Sequence, residues 1–223
     1  MNKLTVFNAE SAYFYFMDKE FRRSILGSRP MYCDSASLSF VLSLRSIPHS
    51  RLHGPDFMER YLRGDRSEPL MVIGGTSQAH EHMRMRYQLD HVKFVDRYVS
   101  VDDLNDLLNE LEMFGPKMVF VCLGLRKQEA VVNAIWQHFN ARGGLENTSV
   151  IGVGAAVDFL GGTKVRSGRV WQALGLEWLP RLVREPRMAP RVIRSFAGCA
   201  LAFTQKQKFD IDSLTFAEQF DAY

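Results

Sequence analysis

Hydrophobic residues along the chain fall into short unbroken runs, separated by longer stretches in which they recur every three or four positions. The short runs, 4–7, 31–33, 70–73, 92–95, 117–123 and 149–153, read as strands, with 70–73 and 117–123 buried. The periodic stretches between them read as helices. They cover 9–26 (Ala12, Phe16 and Ile25 near one face), 37–44, a segment opened by Pro55 at its favoured first-turn position, 77–89, 101–114 and 128–141. Residues 47–54, with Pro48 and two histidines, read as a loop, and beyond 153 the pattern is purely helical. Strands and helices alternating at these lengths imply parallel pairing through right-handed crossovers, hence a doubly wound α/β sheet. The expected organisation is an α/β domain over 1–162, a basic helical appendage over 163–203 and a tail over 204–223.

Composition narrows this picture. With 46% hydrophobic, 24% charged and 12% aromatic residues, the 223-residue chain is neither disordered nor fibrous and can bury a substantial core. Cys33, Cys122 and Cys199 are odd in number and far apart, so no disulfide framework or zinc spacing can be built from them; a reducing compartment is expected. No run approaches the roughly 18–20 apolar residues of a spanning helix, and the N-terminus lacks the apolar stretch of a signal peptide. The expectation is a cytoplasmic protein whose membrane contact, if any, is peripheral.

Charge adds a location. The net charge of +3, from 28 Lys+Arg against 25 Asp+Glu, is too small to imply a nucleic-acid binder. Between 164 and 194, however, eight basic residues face only Glu177 and Glu185, a local net of +6. Arg184, Arg187, Arg191 and Arg194 recur at spacings of three and four, which would stack them on one helical face together with Arg181 nearby. Trp178, Leu182, Val192 and Phe196 supply apolar neighbours. Such a segment suits an anionic membrane surface or a diphosphate ligand; the plain alternative is a solvated helix packed on the domain. It lacks the interleaved stacking aromatics of a single-strand nucleic-acid binder.

In doubly wound sheets ligands sit outside the carboxyl ends of the strands, which singles out Asn8, Asp34, Gly74-Gly75, Asp96, Gly124–Glu129 and residues 152–158. Asp34, followed by small residues, is either a general base or the N-cap of the helix after it. Gly124-Leu125-Arg126-Lys127-Gln128-Glu129 can hold phosphate oxygens at a helix start but is no Walker loop; an ordinary strand-to-helix turn is the alternative. Gly152-Val153-Gly154-Ala155-Ala156-Val157 imperfectly matches a dinucleotide fingerprint and supports an NAD-dependent oxidoreductase only weakly. His80 and His82, two apart, point to different helix faces and read as a solvated helix start rather than a metal site. No nucleophile elbow or Cys/His pair is visible.

Several of these stretches occur in the order found in one family. Asn8-Ala9-Glu10, Asp34, Arg51-Leu52-His53-Gly54-Pro55-Asp56, residues 94–98, Gly124–Glu129, residues 151–161 and Gly175-Leu176-Glu177-Trp178 through Glu185-Pro186-Arg187 resemble the WecG/TagA/CpsF family, glycosyltransferase family 26. The resemblance covers about residues 3–195. It implies a Rossmann-like α/β fold and an inverting, metal-independent hexosyltransferase without a cofactor. The sugar would move from a UDP-sugar to a polyprenyl-diphosphate-linked sugar at the cytoplasmic membrane face, in exopolysaccharide or cell-surface glycan synthesis. Carried over, Asp34 is the base that deprotonates the acceptor. Asn8, Gln128, Arg51, Asp56, Asp96, Gly124, Gly154 and Asp158 are substrate-binding residues, and Arg181, Arg184, Arg187, Arg191 and Arg194 hold phosphates or meet the membrane. A metal-free departure of UDP needs such cations and N–H donors to offset its charge. No nucleic-acid partner is expected, and oligomeric state stays open. Ser35 and Ser37, where the family has glycine, motivate the alternative of a non-catalytic nucleotide-sugar or lipid-binding relative.

Overall fold

The computed structural model describes residues 1–28, 31–64, 67–96, 103–165, 167–168, 171 and 176–205. Its centre is a six-stranded, all-parallel sheet made of β1 (Asn2–Phe7), β2 (Met31–Cys33), β3 (Leu70–Ile73), β4 (Val92–Val95), β5 (Met118–Val121) and β6 (Ser149–Gly152), in the order β2-β1-β6-β5-β3-β4. All six expected strands are present. β2, β3, β5 and β6 are buried at every position, which accounts for their lack of polar alternation, whereas β4 at the edge is only half-buried. Along β3, Leu70 and Val72 join one core with Phe57, Met83 and Phe120, while Met71 and Ile73 join the other with Leu111, Val119 and Ile135.

Among the described residues the helices are α1 (Ala9–Met17), α2 (Lys19–Ile25), α3 (Ala36–Leu44), α4 (Gly54–Arg63), α5 (Ser77–Tyr87), α6 (Asp103–Phe114), α7 (Lys127–Arg142), α8 (Ala156–Leu160), α9 (Trp178–Arg184) and α10 (Ala189–Thr204). Two expectations are corrected here. The helix expected over 9–26 is two helices, because Asp18 leaves helical geometry and caps the second one. Its Oδ1 accepts the Glu20 and Phe21 N–H groups at 3.0 and 3.1 Å and Oδ2 pairs with Arg126 at 2.7 Å. Those bonds, the Phe21 N–H foremost, hold its carboxyl below the ordinary value.

The single arginine face expected from 184 to 194 is also broken. Pro186 and Pro190 interrupt the helix: Glu185, ahead of Pro186, sits at φ −130°, ψ 78°, and a short 3₁₀ turn (Pro186–Met188) separates α9 from α10. Arg184 and Arg187 therefore belong to other elements than Arg191 and Arg194. α10 packs directly on α1. A Cβ added to Gly198 would lie 2.0 Å from the Ala9 carbonyl oxygen, so the two backbones meet where only glycine fits. The far end of α10 is tied by Arg45, whose Nη1 donates to the Ala202 carbonyl at 2.9 Å.

Register places the site. Phe7 lies opposite Cys33, Leu4 opposite Ile151 and Val121 opposite Gly152, so β2, β1, β6 and β5 end on one rim.

Candidate active site

Asn8 and Asp34 follow β1 and β2 on that rim. Asn8 caps α1, its Oδ1 accepting the Ser11 N–H at 2.9 Å. The cap of α3 is Ser35, not Asp34: the Ser35 Oγ accepts N–H groups from Leu38 at 3.3 Å and from Ala9 at 3.1 Å, tying the two rim loops together. Asp34 is thereby released from capping. Beyond β2 the chain folds back so that Cys33 pairs with Arg51, with Cys33 N donating to Ser50 O and Leu52 N to Cys33 O. This hook carries His53 to Asp34, Nδ1 to Oδ1 at 3.0 Å, while Arg51 Nη2 lies 3.2 Å from the other ring nitrogen. The hydrogen bond to Asp34 raises the His53 pKa above its ordinary value, against burial and Arg51.

The facing wall comes from β5, β6 and the start of α7. Gly124 leads through Arg126, held at φ +74°, into α7. That turn is fixed from inside the protein: Glu129 Oε2 accepts the Arg126 N–H at 2.9 Å, and Glu129 Oε1 accepts from the Gln128 side-chain amide at 3.0 Å. Burial raises the pKa of the Glu129 carboxyl. Gln128 Oε1 in turn accepts the Gly154 N–H at 2.7 Å. A Cβ on Gly152 would sit 2.2 Å from the Gln128 amide nitrogen, so the glycine exists to admit that side chain. The apparent dinucleotide fingerprint is thus explained: its glycine gap is filled by Gln128, and the Gly154 N–H a pyrophosphate would use is already engaged. Asp158, in the first turn of α8, pairs with Lys164. Arg181 reaches over the Phe159 ring at 4.9 Å.

These groups enclose a cavity of about 630 Å³, the size of a small-molecule site. Of the residues expected at the site, Asn8, Asp34, Gly124, Gln128, Gly154, Asp158, Arg181 and Arg191 line it. A second cavity of about 230 Å³ adjoins it, lined by Ala36, Arg51, Trp178, Met188, Val192 and Phe196 among others. The two share Asn8, Asp34, His53, Glu177, Arg181 and Arg191, so Asp34 stands at their junction.

Other expected residues lie elsewhere. Asp56 is in the first turn of α4 and lines neither cavity. Asp96 directly follows β4, where it accepts from Ser77 at 3.4 Å and faces His80. His80 is not solvated as expected: it is buried, stacked on Phe94 at 4.5 Å with Nε2 donating to the Gly74 carbonyl at 2.8 Å, because Gly75 leaves room for the ring. His82 likewise meets the Gly161 carbonyl at 2.9 Å. Arg184 and Arg187 are exposed away from both cavities. Arg194 closes on the buried Glu10, giving Nη2 to Oε1 at 2.7 Å, and Arg191 reaches Oε2 of the same carboxylate at 3.0 Å. Of the tail expected over 204–223, residues 206–223 lie outside the described residues.

Sequence reasoning did not assign His53 or Glu10 to the site. His53 and Glu10 lie inside the motifs Arg51–Asp56 and Asn8–Glu10; their partners, 19 and more than 180 residues away, carry no local signal. The family model of the WecG/TagA/CpsF glycosyl transferases matches residues 2–211, a span containing every element that lines the two cavities, and the chain belongs to that glycosyltransferase family.

Proposed function

We propose that this protein transfers a hexose-type sugar from a UDP-sugar to a polyprenyl-diphosphate-linked sugar with inversion, without a metal ion, and that Asp34 is the base. The observation carrying the reading is the position of Asp34 at the junction of two cavities of different size and lining. An inverting displacement needs the donor on one side of a carboxylate and the acceptor hydroxyl within its reach. The larger chamber, with the start of α7, Lys127, Lys164, Arg181 and Arg191 on its walls, suits a UDP-sugar. The smaller, bounded by Trp178, Met188, Val192 and Phe196, suits the acceptor. In the reacting step the acceptor O–H bond breaks and its proton goes to Asp34. The acceptor oxygen forms the new bond to the anomeric carbon, and the old bond to UDP breaks with its electron pair leaving on the β-phosphate. Lys127, Lys164, Arg181 and Arg191, on the wall of that chamber, would offset the charge that develops there.

The acceptor's lipid chain would remain in the cytoplasmic leaflet, with the protein bound peripherally. Among the described residues no helix is long and apolar enough to cross a membrane. Val183, Ile193, Phe196 and Phe203 are exposed on the same appendage as Arg184 and Arg187, a combination suited to an anionic lipid surface. Arg194, by contrast, reads as a strut for α10 rather than a phosphate ligand, since Glu10 engages it.

The test is UDP release by the purified full chain over a panel of UDP-sugars, with a prenyl-diphosphate sugar presented in anionic vesicles. Acceptor-dependent UDP from one donor, reduced at least about 100-fold in Asp34→Asn, is expected from loss of a general base. Wild-type rates in Asp34→Asn refute the assignment of the base. UDP binding without turnover across the panel favours the binding-only relative.

A further inference from the structure

We propose that His53 is a positioning residue for the base: Arg51 selects its tautomer, and its Nδ1–H pins one oxygen of Asp34 so that the other is left to take the acceptor's proton. The inference rests on the reading of Asp34 as base.

The geometry fixes the direction of each bond. An arginine can only donate, so the Arg51 Nη2 at 3.2 Å makes Nε2 of His53 the acceptor. In the neutral ring the proton then sits on Nδ1, 3.0 Å from Asp34 Oδ1. Among the described residues Asp34 Oδ2 has no hydrogen-bond partner, so the carboxylate is held by one oxygen and open at the other. The hook that delivers His53 is held by the two backbone hydrogen bonds of the bridge that joins residues 50–52 to Cys33. His53 makes no side-chain cap to α4 although it occupies the cap position. Its ring is turned to Asp34 instead.

A second consequence follows from titration. Protonated His53 would place an N–H against the Arg51 guanidinium, donor facing donor, and a full positive charge beside Asp34. Both changes oppose catalysis: the first breaks the chain of bonds, the second weakens the base. Asp34 on the end of β2 and Asp56 on α4 favour the charged ring, and Arg51 opposes it. Glu177, Arg181 and Arg191 face the same small cavity from the C-terminal segment. Because Asp34 shifts the ring's titration upward, turnover should fall as pH drops through that raised value, above the pH of an ordinary histidine.

The experiment measures kcat and KM from pH 5.5 to 9 for wild type, His53→Ala and His53→Asn, with Asp34→Asn alongside. Asparagine places an amide N–H near the position of Nδ1 but does not titrate. In His53→Ala kcat should fall about 10- to 100-fold with KM little moved, the usual cost of misplacing a reacting group. His53→Asn should recover part of that loss, and its acid limb should move to lower pH relative to wild type. An acid limb at the wild-type pH in His53→Asn overturns the proposal, as does a loss confined to KM. Should His53→Ala not fold, His53→Asn and the imidazole titration of wild type against Asp34→Asn by NMR decide: His53 titrating at the same pH in both refutes the pair. An active Asp34→Asn removes the base reading and this inference together. An inactive Asp34→Asn with an unmoved acid limb in His53→Asn removes the inference alone.

Discussion

Replacing Gly198 by alanine should destabilise the protein, although the same change in an exposed helix stabilises it. Gly198 lies within α10 at the crossing with α1, where an added Cβ would be 2.0 Å from Ala9 O and 2.7 Å from Tyr13 N. Both contacts are backbone atoms, so no side chain can swing aside. Bringing the Ala9 oxygen from 2.0 Å to the near edge of ordinary contact, 3.4 Å, moves the helices apart by about 1.4 Å. Overpacking of this kind costs about 1–3 kcal/mol, while alanine gains about 1 kcal/mol in intrinsic helix propensity over glycine. The net is a loss of up to roughly 2 kcal/mol, a Tm lower by up to about 8 °C at this chain length. The separation also strains the Arg191 and Arg194 pairs with Glu10, and Arg191 lines both cavities. Turnover should therefore fall more than Tm alone suggests. Thermal unfolding, proteolysis directed at α10 and UDP release measure the three consequences. A raised Tm with unchanged α10 cleavage would mean that the helices do not meet at Gly198, and the docking of α10 on α1 would be wrong.

Two further outcomes follow from buried side chains. Gly152→Ala places a Cβ where the Gln128 side chain lies, so Gln128 must leave and free both the Gly154 N–H and Glu129 Oε1. kcat/KM should drop more than about tenfold, against a stability loss of roughly 1–3 kcal/mol for the two lost bonds, and equal activity by UDP release refutes the role of Gln128. Lys3 is buried, with Nζ bonded to Leu26 O and Asn133 Oδ1, and desolvation lowers its pKa from 10.5 to about 8. Between those values the unfolded chain binds more protons than the folded one, so this group makes stability rise with pH across the window, by at most about 3 kcal/mol. Urea unfolding from pH 7.5 to 10.5 should show that rise in wild type and not in Lys3→Met; the same slope in both contradicts the burial of the ammonium.

The apolar runs and their intervals were enough to identify six strands, because strands buried on both faces are mostly apolar, with Lys3 and Thr5 of β1 as polar exceptions, and parallel pairing follows from the helices between. The rim positions were legible for the same reason: Asn8, Asp34, Gly124 and Gly154 come directly after strands, and the topology brings them to one edge. Asp18 and Pro186 show where periodicity misleads, since apolar spacing persists through a cap or a proline that ends the helix. The four C-terminal arginines were legible as charge, but not as separate roles. Arg191 and Arg194 close on Glu10, some 180 residues earlier, whereas Arg184 and Arg187 face outward.

The sequence by itself determined the element types, their order, the parallel sheet and the family, since each rests on local patterns and on short motifs in register. Tertiary structure alone decided which side chains touch. That His53 meets Asp34 depends on a backbone hook across β2, and that Gln128 fills the space of Gly152 depends on a missing Cβ one strand away. Such contacts join residues far apart in the chain, and their energies come from distance and burial, which no local pattern encodes.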